Sequence, residues 1–213
     1  MTGSNLSATI CGEELILLSE KAIYWPARKT MLIADLHIGK VQHFRRHGIA
    51  VPGMAEQNNL WRLSGILQKW KPEVLIFMGD LFHSAMNAAW PVFTDFLAGI
   101  EKTEFILVKG NHDILPAATF ETGGLKVLEQ LETGPFLLTH LPEESDLYNL
   151  HGHIHPGVSL RGKGRQSLRL PCFHFAERYG ILPSFGDFTG MYVIRPKAGD
   201  QVFVISDREV MKM

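Results

Sequence analysis

The chain has 213 residues, 46% hydrophobic and 20% charged, with 21 basic and 22 acidic side chains for a formal charge of −1. This composition excludes disorder, a collagen-like repeat and a coiled coil, and it lacks the cationic excess of a protein that coats nucleic acid. No apolar run reaches the roughly 18 residues of a membrane span, and the first 20 residues hold no Lys or Arg to open a secretory signal. The expected setting is the cytoplasm, with no membrane partner. Cys11 and Cys172 stand alone, not in a CxxC pair, which predicts free thiols and no thiolate zinc site. Against a prior of about 150 residues per domain, and with no Ser/Pro/Gly-rich linker, the chain reads as one domain, residues 1–213.

In chain order, Leu15–Leu18, Ala22–Trp25 and Met31–Ala34 are short apolar segments flanked by Gly, Pro or charge, and they predict buried strands. After Pro52 and Gly53, Leu60, Leu63, Leu67 and Trp70 fall at helical spacing and stop before Pro72. Trp61 and Trp70 fit the buried stripe of that helix better than a base-stacking platform. Strand Val74–Met78 follows, then a second helix with Phe93, Phe96, Leu97 and Ile100 on one face and Pro91 in its first turn, then strand Phe105–Val108. This is α/β alternation. From Phe136 onward strand-like pieces dominate, Phe136–Leu138, Met191–Ile194 and Val202–Ile205, divided by turn signals at Arg161–Arg165 and Lys197–Asp200. The expected fold is α/β, with two packed mixed β-sheets flanked by helices and sharing one core.

Histidine is the anomaly, since all ten lie between His37 and His174. Four predicted strands end in metal-capable side chains: Met31–Ala34 leads to Asp35 and His37, Val74–Met78 to Gly79 and Asp80, Phe105–Val108 to Gly110, Asn111, His112 and Asp113, and Phe136–Leu138 to His140. Gly152 precedes a further pair, His153 and His155. Ligands of α/β sheets collect beyond the carboxyl ends of strands, and an i, i+2 pair in extended chain shares one face. Glycines 79, 110 and 152 allow close backbone approach beside these groups. Seven donors, Asp35, His37, Asp80, Asn111, His140, His153 and His155, are too many for one ion and suit two bridged by a carboxylate, naturally Asp80. Oxygen and imidazole donors without thiolate favour Mn, Fe or Zn. Two such ions generate a hydroxide at neutral pH and clamp an in-line displacement at phosphorus; bound, they would also turn the formal charge from −1 to about +3. His112 is then expected to face the substrate as general acid, with Asp113 orienting it.

Asp-x-His, Gly-Asp, Gly-Asn-His-Asp, a later His and Gly-His-x-His, in that order over residues 35–155, resemble the calcineurin-like metallophosphoesterase superfamily. The resemblance implies a four-layer sandwich, one metal held by Asp35, His37, Asp80 and His155, and another by Asp80, Asn111, His140 and His153, with a metal-bridging hydroxide as nucleophile and His112 catalytic. The stretches Ala34–Lys40, Gly79–Ser84, Gly152–Pro156, Leu170–Phe173 and Leu182–Gly186 are similar to the bacterial ligase-associated DNA damage response endonucleases, the PdeM branch. That likeness implies a manganese-dependent phosphodiesterase incising DNA, single-stranded in preference, with a DNA ligase and a helicase as repair partners. A similar Gly-Asp-Leu-Phe-His in SbcD-like repair nucleases implies a place for His83 near the scissile phosphate, the alternative being a hydrogen bonder behind the ligands.

Lys40, Arg45 and Arg46, with His43 and His47, form a basic stretch suited to a nucleic-acid backbone; a solvated loop or helix face is the plainer reading. Residues 161–165 read as a hairpin turn, and His151 and His174, beside apolar residues, as structural. Two other functions compete with the nuclease. A phosphatase or phosphodiesterase of small nucleotides would use the same ligands. A non-catalytic scaffold would be expected to have lost His112 or Asp80, and both are present.

Overall fold

Seven short strands lie side by side in chain order in a computed structural model of the chain: β1 (Leu6–Ile10), β2 (Glu13–Leu18), β3 (Ala22–Trp25), β4 (Thr30–Ile33), β5 (Val74–Met78), β6 (Glu104–Val108) and β7 (Leu125–Leu128). The structure describes residues 4–40, 54–82, 86–162, 166–187, 189–207 and 209–213, with the backbone alone for 54–56. Pairing is antiparallel from β1 to β4 and parallel from β4 to β7. In β5 and β6, Leu75, Phe77, Phe105 and Leu107 face helices, whereas Ile76, Met78, Ile106 and Val108 face a second sheet. A pleated strand sends successive side chains to opposite faces. A strand covered on both faces therefore reads as an unbroken apolar run, which is why these segments were visible in the sequence.

The second sheet contains β8 (Leu131–Thr133), β9 (Phe136–Thr139), β10 (Tyr148–His151), β11 (Pro156–Arg161), β12 (Ser167–Phe175), β13 (Tyr179–Ile181), β14 (Tyr192–Val193), β15 (Gln201–Ser206) and β16 (Glu209–Lys212). Its order is β14-β11-β12-β13-β10-β9-β8, with β15 pairing β12 and β16 pairing β15. Phe136, Leu138, Leu150, Phe173, Phe175 and Phe203 meet the inner face of the first sheet. Each such side chain contributes about 1.5–3 kcal/mol when fully buried. The two sheets share this layer, as the sequence predicts.

Helices α1 (Met54–Trp70), α2 (Ala89–Ala98) and α3 (Ala117–Thr122) cover the other face of the first sheet through Leu63, Ile66, Leu67, Trp90, Phe93, Leu97 and Phe120. Helix α1 stops where Lys71 turns left-handed, φ 46°, donates to Leu67 O and is followed by Pro72, which has no N–H to continue the ladder. One expectation fails here. Trp61 is 84% exposed, because the buried stripe runs through Leu63, Ile66 and Leu67, and residue 61 falls on the water face beside Gln57 and Gly65. Trp70 is half-buried against Tyr24, ring centroids 4.8 Å apart. Among the described residues no helix is long and apolar enough to cross a membrane.

Candidate metal centre

The parallel strands of both sheets end together. Beyond β4, β5 and β6 lie Asp35, Asp80 and Asn111; beyond β9 and β10 lie His140 and His153. The i, i+2 pairs do not sit in extended chain as the sequence suggested. Asp35 (φ 55°), His37 (53°), Asp80 (49°), His153 (65°) and His155 (52°) are all left-handed, at a cost of order 1–3 kcal/mol each. Tertiary hydrogen bonds hold them there, with Asp35 N donating to Gly79 O at 3.2 Å and His37 N to Asp80 O at 2.9 Å. Gly79 and Gly110 are required by close approach: a β-carbon at Gly79 (φ 78°) would strike the His140 ring, and one at Gly110 would strike the amide and carboxylate of Asp80.

Two sets of donors converge, Asp35 with His37 and His155, and Asp80 with His140 and His153, the ligand atoms of each within 4.8 Å of one another. His140 Nδ1 lies 3.2 Å from Met78 O, and a carbonyl only accepts, so Nδ1 carries a proton and Nε2 is the ring atom whose lone pair a metal ion would take. That lone pair is 2.9 Å from Asn111 Oδ1, 3.2 Å from His153 Nδ1 and 3.4 Å from Asp80 Oδ1. In the first set, His155 Nδ1 donates to Gly190 O at 3.1 Å, leaving Nε2 facing Asp35 Oδ1 at 3.3 Å. Both of these atoms are buried and make no hydrogen bond. The Asp35 and Asp80 carboxylates are buried as well, and burial costs an uncompensated ion several kcal/mol. Electron-pair donors aimed at one another around buried negative charge fit divalent cations, one per set.

The sets touch: His153 N donates to Asp35 Oδ2 at 3.0 Å, and His140 Nδ1 is 3.9 Å from Asp35 Oδ1. His112 is exposed at the rim, its amide donating to Asp80 Oδ1 at 2.9 Å and its ring 6.0 Å from that of His37. Asp113 is buried; it accepts from Phe82 N at 2.9 Å and Gly110 N at 2.8 Å, tying the loop after β6 to the loop after β5. Burial pushes its carboxyl up to about 6, against the opposing pull of those two amides. Burial also lowers the Lys40 ammonium, while Asp80 and Asp35 act to raise it, so Lys40 stands near both carboxylates. Arg45, Arg46, His43, His47 and His83 lie outside the described residues. His151, buried beside Gly152 O, is lowered to about 4 by desolvation, and His174 bonds Asp200 at 2.8 Å.

Sequence reasoning passed over Arg62 and Asp187, which bond each other and hold the loop after β13 against the first set. An arginine between Trp61 and Leu63 carries no signal, because nothing local reveals a partner more than 120 residues away.

Residues 28–197 match the calcineurin-like phosphoesterase family. The structure is similar to that of Pseudomonas putida nuclease MPE, with a TM-score of 0.82 and 31% identity over 99% of this chain and 100% of that one. Yfce, a phosphoesterase from E. coli, is more distant, at TM-score 0.41 and 15% identity over 84% of this chain and 88% of that one. No curated protein matches the chain significantly. With two candidate ion sites at the shared strand ends and this match across most of its length, the chain belongs to the calcineurin-like phosphoesterase family and is a metal-dependent phosphoesterase.

Proposed function

We propose that the protein is a binuclear nuclease that hydrolyses phosphodiesters of DNA, single-stranded in preference, in a cytoplasmic repair setting with a DNA ligase and a helicase. The observation that carries it is the pair of adjacent donor sets; likeness along the whole chain to a nuclease supports a nucleic-acid substrate. Asp35, His37, Asp80 and His155 would hold one ion, and Asp80, Asn111, His140 and His153 the other, with manganese the preferred metal. Bound there, the ions supply a hydroxide at neutral pH and positive charge against the phosphate oxygens.

The chain's own groups do the rest. His112 sits on a loop pinned by its amide to Asp80 and by Asp113 to Gly110 and Phe82, so its ring stands at the rim, where a proton can pass to the departing oxygen. Asp113 serves by fixing that loop. On this reading Lys40, Arg45 and Arg46 are assigned to backbone phosphates and His83 to the scissile one.

Purified protein with manganese is offered labelled single-stranded DNA and, in parallel, mononucleotide esters. Cleavage of the DNA is expected, with turnover falling about 10²–10⁴-fold in His112→Ala while both ions stay bound. Hydrolysis of the small esters alone would reject the nuclease, and unchanged turnover in the variant would reject the role of His112.

A further inference from the structure

Residues 182–187 and 189–190, after β13, lie against the first donor set, and among the described residues they are not part of it. Ser184 Oγ and Gly186 N both donate to Asp35 O at 3.0 Å, and Phe185 N donates to Ala34 O at 2.8 Å. Gly190 O takes the Nδ1 proton of His155 at 3.1 Å, and this bond leaves Nε2 free to face Asp35. The loop thus fixes the Asp35 carbonyl, adding to the hold that Gly79 O has on that left-handed backbone, and it sets which ring nitrogen of His155 faces Asp35.

The far side of the loop is gripped by helix α1. Arg62 donates through Nη2 to Phe185 O, and at 3.0 Å to Asn59 Oδ1, and through Nη1 to Asp187 Oδ1 at 3.2 Å. Its guanidinium lies 4.5 Å from the centroid of the Phe185 ring. Asn59 Oδ1 accepts from Asp187 N at 3.2 Å, and Lys21 Nζ approaches Asp187 at 3.7 Å. The Arg62 and Asp187 side chains are 22% and 31% exposed, so the pair is partly shielded from water. A planar fork reaches a carbonyl, an amide oxygen and a carboxylate together; an ammonium is a single point charge and cannot. The hydrogen bonds described for the second set run elsewhere, to Met78 O, to His112 N, within the set and to Asp35.

We propose that Arg62 and Asp187 form a positioning clamp for the ion of Asp35, His37, Asp80 and His155, reaching the ion of Asp80, Asn111, His140 and His153 only indirectly, through the shared Asp80 and the His153–Asp35 contact. The clamp rests on the two-ion reading above but not on DNA being the substrate.

Calorimetric titration with Mn²⁺ tests it on the wild-type chain, Arg62→Met, Arg62→Lys and Asp187→Asn, with thermal unfolding as the check on the fold. Two ions are expected in the wild type. Arg62→Met and the near-isosteric Asp187→Asn weaken one of them about 10–100-fold and the other less, and Arg62→Lys restores only part. Adding Arg62→Met to His153→Ala then weakens the ion that remains, whereas adding it to His155→Ala changes little. Two ions of wild-type affinity in Arg62→Met, or equal weakening of both in a folded protein, would overturn the clamp. A wild-type chain that binds fewer than two ions would remove the two-ion reading and the clamp with it. One that binds two and leaves DNA intact would sink the nuclease reading while the clamp stands.

Discussion

Two Asp–His contacts in this molecule use the same residue types to opposite ends. Between β12 and the turn before β15, His174 Nε2 meets Asp200 Oδ2 at 2.8 Å, and the same oxygen accepts from Lys197 N at 2.8 Å. Neither residue is left-handed. At the strand ends, Asp35 Oδ1 and His155 Nε2 lie 3.3 Å apart with no hydrogen bond, both on left-handed backbone. In the first contact a donor meets acceptors, and the pair stabilises the fold. In the second, Nδ1 is committed to Gly190 O and Nε2 faces a buried carboxylate oxygen without a hydrogen bond, at the fold's expense, an arrangement suited to a cation between them. Proximity of an acid and an imidazole does not identify a site; the direction of the protons does.

The largest effect expected from this contrast is on activity. His155→Ala should lower phosphodiester cleavage at least about 100-fold, and His174→Ala should leave it within about twofold once assayed below its unfolding temperature. Comparable losses in both would erase the distinction.

Stability should move in opposite directions at the two places. In chelator, Asp35→Asn removes a buried charge near Asp80, and the new amide can donate to His155 Nε2, so the metal-free protein gains about 1–3 kcal/mol. Asp200→Asn takes the charge from a made hydrogen bond and loses about 0.5–1.5 kcal/mol. Urea midpoints of the two variants against wild type measure both signs, and a destabilised Asp35→Asn would mean that the first set is not strained without its ion.

How far the sequence reveals all this depends on where each constraint comes from. Val74–Met78 and Ala22–Trp25 were legible to the residue because a strand covered on both faces must be apolar throughout. Asp35, Asp80, Asn111 and His140 were legible because polar side chains that end apolar strands stand out, and both sheets deliver them to one edge. The left-handed turns at Asp35 and His37 were not, since their φ angles are set by Gly79 O and Asp80 O, more than 40 residues away. Trp61 misled for a related reason: helical spacing allows several stripes, and the sheet beneath α1 chose the one through Leu63, Ile66 and Leu67. Arg62 stayed hidden because its partners Phe185 and Asp187 meet it only once both sheets are assembled.

The smallest effect concerns pH at the bonded pair. Burial pushes the Asp200 carboxyl up, but the Lys197 amide and the His174 hydrogen bond and charge outweigh it and hold the group below its ordinary value of 3.8. A carboxyl whose folded pKa is depressed contributes stability that is fully present above the unfolded value and is lost as pH falls through the folded one. The wild-type advantage over Asp200→Asn, measured as a difference in urea midpoint in chelator, should therefore shrink as pH falls below about 3.8. An advantage that grew in acid would mean that the folded protein takes up the proton more readily than the unfolded chain. His174 and Asp200 would then resemble the strained contact at the strand ends, and the direction of the protons would no longer separate the two.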